Sequence, residues 1–272
     1  MTTLRAGLIG EHISRTRLPK ALQIMCDQAG WALEFTLFDT AHIDGFDFDD
    51  TLNLARQDGW TGMTVTHPFK TEARRYAGPG MAPEVVHLGA CNTLVFAPHL
   101  TGQNTDYTGF LAAFAAQGQT PGRVVMMGAG GVAQALAPAL IELGASDLAI
   151  CDTDPARARA LAHGSGGRAV AMDAAADLIR TADGLVNATP LGMAEYPGSA
   201  FAPDLIGGQT WAFDAVYTPT NTDFLIRAGR AGLHCITGFD LFRAMAVRTF
   251  EAYTGLGVPQ VILPHLDALK PD

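Results

Sequence analysis

The tightest constraint in this chain lies between Arg123 and Ala133. The apolar run Arg123–Met127 (RVVMM) passes directly into Gly128-Ala129-Gly130-Gly131-Val132-Ala133, and a segment of helical pattern follows. A buried strand that enters a helix through a G-x-G-x-x-A turn needs small residues for separate reasons. Gly128 makes the tight turn, Gly130 and the adjoining Gly131 let the backbone approach a pyrophosphate, and Ala133 lets the helix pack closely on the strand. The free N–H groups of the helix start then face the phosphates with partial positive charge. A glycine turn alone is common between strand and helix. Here the next apolar strand, Asp147 to Cys151, runs into Asp152, about 20 residues on, where ribose recognition calls for a carboxylate. The combination reads as a dinucleotide-binding βαβ unit.

Asp152 also selects the cofactor. A carboxylate accepts hydrogen bonds from the ribose hydroxyls of NAD and repels the 2′-phosphate of NADP. The turn Cys151-Asp152-Thr153-Asp154-Pro155 contains no arginine, and Arg157 is the first basic residue after it. NAD is therefore expected in preference to NADP. Asp154 has a simpler role available, as the cap of a helix beginning at Pro155.

Elsewhere strands and helices alternate. Arg5–Gly10, Leu33–Phe38, Gly62–Thr66 and Cys91–Phe96 read as strands, with helices over Leu18–Ala29 and Thr51–Gln57 and another starting near Pro68. Asp106–Gln117 reads as a helix joining two halves, and Gly118–Gly122 (GQTPG) is a breaker cluster. The second half continues with a helix over Ala129–Leu143, the strand Asp147–Asp152 and a helix over Pro155–His163. Strands at Gly184–Asn187, Thr210–Val216 and Leu233–Ile236 follow, then the turn Thr237-Gly238 and a last helix, Leu241–Tyr253. The pattern implies an α/β fold with mainly parallel sheets.

Bulk properties exclude several classes. With 48% hydrophobic and 17% charged residues among 272, the chain has ample core material and no disorder signature. No apolar run reaches the ~20 residues of a membrane span, and the N-terminus lacks a signal-peptide pattern, so a cytoplasmic protein is expected. The net charge of −9 and the lack of a basic cluster argue against nucleic acid. Cys26, Cys91, Cys151 and Cys235 lie far apart without a CxxC pair, which speaks against a metal site and for packing roles. Size fits a monomer or a homodimer.

In so acidic a chain each lysine matters, and there are only Lys20, Lys70 and Lys270. Lys70 follows an apolar strand and a Pro-Phe turn. Partial burial there lowers its pKa and lets it exchange a proton with a substrate hydroxyl; an exposed lysine at a helix start is the plainer alternative. Asn92, within an apolar strand, needs a partner, either a substrate hydroxyl or a neighbouring loop backbone. Asp106, in Asn104-Thr105-Asp106, is either a site carboxylate or an N-cap.

Taken together, seven strings in order carry a resemblance: Ser14–Thr16, Thr64–Lys70, Ala90–Thr93, Asn104–Asp106, Gly128–Gly131, Asn187–Met193 and Asp214–Tyr217. Over nearly its full length the chain resembles the shikimate dehydrogenases, most closely the NAD-linked quinate/shikimate dehydrogenases. The resemblance implies two domains. An N-terminal α/β substrate domain, residues 1–106, would be completed by a returning C-terminal helix within 239–272. A Rossmann-type NAD-binding domain would span 107–238. It further implies hydride transfer between NAD and a ring hydroxyl of shikimate or quinate, with 3-dehydroshikimate or 3-dehydroquinate as oxidised partner. Lys70 and Asp106 would be the catalytic pair. Ser14 and Thr16 would bind the substrate carboxylate, Thr66, Asn92 and Tyr217 would line the substrate pocket, and Thr189, Val216 and Gly238 would contact the cofactor.

Two segments depart from the family pattern. Met245 stands where the family presents a glutamine to a substrate hydroxyl, and a thioether is only a weak acceptor. Arg243 is a candidate replacement, although a solvated arginine is the simpler reading. Arg15 and Arg17 flank the expected carboxylate site, and alternation with Ser14 and Thr16 would aim both away. These departures leave two alternatives open: a same-fold dehydrogenase of another hydroxy acid, and a non-catalytic NAD-binding metabolite sensor.

Overall fold

A run that is apolar on both faces belongs inside a sheet with helices on either side, and the N-terminal strand is such a run. In the computed structural model, which describes residues 2–271, β1 (Thr3–Gly10) is buried almost throughout. It is followed by α1 (Leu18–Ala29), β2 (Ala32–Asp39), α2 (Phe48–Gln57), β3 (Gly62–Val65), α3 (Lys70–Ala77), β4 (Thr93–Val95) and β5 (Thr101–Gln103). Proline in the first turn of α1 and Gly30 in the left-handed conformation just past its end explain why that helix has the limits expected from sequence. The sheet order is β2-β1-β3-β4-β5. The first three strands are parallel, whereas β3-β4 and β4-β5 pair antiparallel. β2 is an edge, and its side chains are half-buried or exposed.

The chain then passes through α4 (Thr105–Ala115) into β6 (Arg123–Met127), α5 (Ala133–Glu142), β7 (Asp147–Cys151), α6 (Pro155–Ser165), β8 (Arg168–Ala169), α7 (Ala175–Thr181), β9 (Gly184–Asn187), β10 (Trp211–Asp214), α8 (Asp223–Arg230) and β11 (His234–Ile236). The helices α9 (Gly238–Thr254) and α10 (Leu263–Asp267) complete it. The second sheet is parallel throughout, in the order β11-β10-β9-β6-β7-β8. Counted from β6, this is 3-2-1-4-5-6 read backwards, the order of a doubly wound dinucleotide-binding domain. The order in which the chain winds across the sheet reverses between β6 and β9, and in such sheets ligands sit outside the carboxyl ends of the strands at that point.

The chain divides into two compact units. One runs to Thr105 and resumes over Met245–Leu269; the other takes Asp106–Ala244 and the last residues from Lys270. The divisions after Thr105 and after Ala244 fall inside helices, α4 and α9, and the third, after Leu269, follows α10. Phe239 and Phe242, early in α9, are buried in the second unit, with Phe242 stacked on Tyr217; Ala246, Phe250 and Tyr253, later in α9, are buried in the first.

One close contact organises the second sheet. Trp211 pairs with Gly184 across β10 and β9, and a Cβ on Gly184 would lie 2.1 Å from the indole. The ring is fully buried, and its N–H donates to the carbonyl of Pro121 at 3.2 Å.

Several sequence expectations are corrected. Pro68 does not open a helix: it lies in the turn closed by the Phe69 N–H on the Thr66 carbonyl (2.9 Å), and α3 begins at Lys70. Gly238 is the first residue of α9 rather than a turn before it. The segment 129–132 lies outside α5, because the Ala129 N–H is directed to a side chain. Asp106 is not a cap; it is the second residue of α4.

Candidate active site

The glycine loop of the second unit is built as its composition demands. Gly128 adopts φ +101°, and a Cβ there would stand 2.7 Å from the Ala188 carbonyl oxygen, so only glycine fits between the ends of β6 and β9. Gly130 and Gly131 differ from it: a Cβ at either meets no protein atom within 4 Å. Nothing in the protein requires them to be glycine, and their missing side chains leave bare backbone at the mouth of α5. That is a cradle a side chain would fill, and it suits a pyrophosphate. Ala133 is fully buried at the start of α5. Asp152 is half-buried and ties the loop: one carboxylate oxygen accepts from Ala129 N–H and the other from Asp154 N–H, both at 2.7 Å. The Thr153 hydroxyl adds a long bond to the same oxygen as Asp154 N–H (3.5 Å); a carboxylate has about four acceptor positions, so one remains for a ribose hydroxyl, on the oxygen that Ala129 holds. Asp154 caps α6 through the Ala156 N–H.

Beside this loop, the ends of β9 and β10 are knotted by buried polar groups. Asp214 is fully buried. It accepts from the Asn187 amide (2.9 Å), the Val216 N–H (3.0 Å) and the Thr222 hydroxyl (2.6 Å). Burial pushes its carboxyl up to about 6, against the pull of those three bonds. Asn187 passes the order on, its oxygen accepting from both the N–H and the hydroxyl of Thr189. Gly238 presses on the same region, where a Cβ would lie 2.6 Å from the carbonyl oxygens of Ala215 and Val216. Tyr217, half-buried, stacks on Phe242 at 5.5 Å.

In the first unit the loops at the carboxyl ends of β1, β2 and β3 are bonded together. Glu11 N–H donates to the His67 carbonyl and Thr66 N–H to that of Ile9. Half-buried Lys70 opens α3, and its carbonyl accepts from Cys91 N–H at 3.0 Å. Asn92, next in the chain, precedes β4 rather than lying within it. Its side-chain oxygen accepts from Thr105 N–H (2.7 Å) and from the hydroxyls of Thr93 (3.0 Å) and Thr105 (3.1 Å). A backbone N–H can only donate, so this oxygen is the acceptor, and the amide NH2, with no partner among the described residues, is left for another group. Half-buried Asp106 follows Thr105 directly in the chain. Hydrogen bonds thus join Asn92 and Thr105 directly and tie the Lys70 backbone to Cys91, the residue before Asn92, with Asp106 next to Thr105 in the chain. The neighbouring Cys91 thiol is pushed up to about 11 by burial, which makes it packing rather than a nucleophile.

The remaining residues are placed as follows. Ser14 is exposed, and the Thr16 hydroxyl accepts from Leu18 N–H at the start of α1. The segment is a turn, not a strand, so the expected alternation of Arg15 and Arg17 does not operate: Arg15 is exposed and Arg17 is half-buried. Arg243 pairs with Asp240 on its own helix at 3.7 Å. Met245 is half-buried, and its sulfur accepts from the Thr249 hydroxyl at 3.5 Å. Thr249 in turn meets the Thr105 hydroxyl at 3.1 Å, so Met245 ends a buried polar chain that begins at Asn92.

Two contributors were not singled out from sequence. Asp39 accepts from the N–H groups of His12 and Ile13, which holds His12 at φ +55° and shapes the loop carrying Ser14 and Thr16. Thr249 looks like any helical threonine. Among the described residues no cluster of metal-ligating side chains forms, and no helix is long and apolar enough to cross a membrane.

Comparison with known proteins bears on these two clusters. Residues 8–94 match the family model described as the shikimate dehydrogenase substrate binding domain. A quinate/shikimate dehydrogenase (NAD(+)) of Corynebacterium efficiens is 35% identical over 268 residues, 92% of each chain. A shikimate dehydrogenase (NADP(+)) of Streptomyces avermitilis is 35% identical over 92% of this chain and 89% of its own. The solved quinate dehydrogenase from Corynebacterium glutamicum in complex with NAD superposes with a TM-score of 0.91 at 31% identity, covering 98% of this chain and 99% of that one.

Proposed function

Since the chain belongs to the shikimate/quinate dehydrogenase family, we propose that it oxidises a ring hydroxyl of shikimate or quinate and reduces the corresponding ketone in reverse. The observation that carries the reading is the hydrogen-bonded pair Asn92 and Thr105, with the Lys70 backbone tied to Cys91 beside it and Asp106 next in the chain, in a protein that also holds a bare glycine cradle. The nicotinamide supplies the hydride acceptor, and orientation and proton handling fall to the chain. Lys70 takes the hydroxyl proton during oxidation and returns it during reduction. Asp106 accepts a hydrogen bond from the reacting hydroxyl and orients the lysine. The NH2 of Asn92 donates to a substrate oxygen, and Thr66 and Tyr217 are further substrate-binding residues. Ser14 and Thr16 donate to the carboxylate. The cofactor is held by Gly128, Gly130, Gly131, Ala133, Asp152, Thr189, Val216 and Gly238, and the negative charge and remaining acceptor position of Asp152 favour NAD over NADP. Four free thiols fit a reducing, cytoplasmic setting, and we expect a monomer or a homodimer.

The test is initial-rate oxidation of shikimate and of quinate, each with NAD and with NADP. Turnover is expected with NAD in clear excess over NADP. A preference for NADP overturns the reading of Asp152. No turnover on either acid, with NAD still bound, redirects the search to another hydroxy acid.

Met245 favours that second reading, because its sulfur is already engaged by Thr249 and offers a substrate hydroxyl little. Replacing Met245 with glutamine restores a donor and an acceptor. We expect KM for shikimate to fall about tenfold, the worth of one hydrogen bond of about 1–1.5 kcal/mol. An unchanged KM removes Met245 from the substrate pocket.

A further inference from the structure

We propose that Asp214 is a positioning residue that holds the cofactor-facing loops after β9 and β10 in one arrangement through its hydrogen bonds to Asn187, Val216 and Thr222. This rests on the reading of those loops as cofactor contacts given above.

The case starts from what occupies the position. Asp214 has no exposed surface, and the groups that bond to it are an amide, a backbone N–H and a hydroxyl, none of them cationic. A carboxylate buried without a counter-charge is unfavourable, and the rise of its pKa reflects that. An apolar residue would fill the space more favourably. What an apolar residue cannot do is accept hydrogen bonds from three separate segments at once.

Those segments lead directly to the proposed contacts. The Asn187 amide lies at the end of β9. Its NH2 bonds both Asp214 (2.9 Å) and the Leu191 carbonyl (2.9 Å), while its oxygen takes the N–H (3.0 Å) and hydroxyl (2.6 Å) of Thr189. Asp214 is therefore one residue removed from Thr189. On the other side it fixes the Val216 N–H directly. Its second oxygen takes the Thr222 hydroxyl, which also caps α8 through Leu225 N–H at 3.3 Å. Deleting this one acceptor uncouples the end of β9, the Val216 turn and Thr222 from one another, leaving each with its local bonds alone.

The arrangement separates geometry from charge. An asparagine at 214 can keep its oxygen toward Asn187 and Val216 and donate its NH2 to the Thr222 oxygen, which a rotated hydroxyl accepts. Asp214→Asn should thus preserve the arrangement, and Asp214→Ala should lose it. Misplacement of loops by about 1 Å costs on the order of 100-fold in a positioned site, so we expect NAD affinity to fall at least about tenfold in Asp214→Ala.

The experiment measures NAD affinity by calorimetry and hydrogen–deuterium exchange of the cofactor-free protein, well below the melting temperature. The wild type, Asp214→Asn, Asp214→Ala and Thr222→Val are compared. Faster exchange in peptides covering 187–193 and 214–218 and weakened NAD binding in Asp214→Ala, with Asp214→Asn near wild type, supports the proposal. A residue that only supports folding would lower the melting temperature and leave affinity and loop exchange unchanged, and that result overturns it. Equal impairment of the alanine and asparagine variants also overturns it, because charge would then be the requirement. If Asp214→Ala does not fold, Thr222→Val, which loses the 2.6 Å bond to Asp214 and with it the Leu225 N–H cap of α8, decides by the same two readouts, with exchange read at 187–193 and 214–218, outside α8. Failure of the wild type to bind any dinucleotide rejects the proposed function, while the exchange comparison still decides the role of Asp214.

Discussion

Replacing Lys70 with alanine is expected to lower turnover by about 10²–10⁴-fold, the range of a positioned general acid–base group, with NAD affinity unchanged. Alanine keeps the backbone bond in which Cys91 N–H donates to the carbonyl of residue 70, so the turn that opens α3 is retained. Turnover within tenfold of wild type, measured with saturating substrate and NAD, rejects Lys70 as the proton-handling group.

The second large effect is expected at Gly128. Alanine there must adopt φ +101° with its Cβ 2.7 Å from a carbonyl oxygen, 2.8 Å from the carbonyl carbon of Ala188 and 2.9 Å from the Thr189 methyl. The strained conformation alone costs about 1–3 kcal/mol, and the first two neighbours are backbone that cannot turn aside. The loop carrying Thr189 must move. Gly128→Ala should lose both several degrees of melting temperature and measurable NAD binding. Gly130→Ala is the control, since its Cβ meets no protein atom within 4 Å. It should melt like the wild type, and any loss of NAD affinity then reports the close approach of the dinucleotide itself. Wild-type NAD affinity in both variants would refute the cradle.

How far the sequence could be read depended on the range of the interactions. Local rules sufficed for α1, β6, β9 and the Asp154 cap of α6, where proline, glycine or an unbroken apolar run marks each limit. They failed for β5, three residues (Thr101–Gln103) without one large apolar side chain, which is a strand only because β4 pairs with it. The short α8 went unread because Asp223–Arg230 buries only Phe224, Leu225 and Ala228. At the site, Lys70, Asn92 and Asp106 were visible as charged or polar residues beside apolar strands. Asp39 and Thr249 were not, since they act on partners 26 and 144 positions away. The Asn92 oxygen showed the same limit: sequence left a substrate hydroxyl and a loop backbone as alternatives, and its bond is to the Thr105 N–H.

The burial of Trp211 against Gly184 has an optical consequence. The chain has three tryptophans. Trp211, sealed in the second unit, emits from an apolar setting, whereas Trp31 and Trp60 belong to the first unit and are partly open to water, Trp60 with the Arg5 guanidinium 5.6 Å above its ring. Each unit therefore carries its own emitter at the blue or the red end of the intrinsic fluorescence. Loss of the blue component tracks the second unit alone, so one denaturant titration followed at two wavelengths distinguishes joint unfolding of the units from unfolding in sequence.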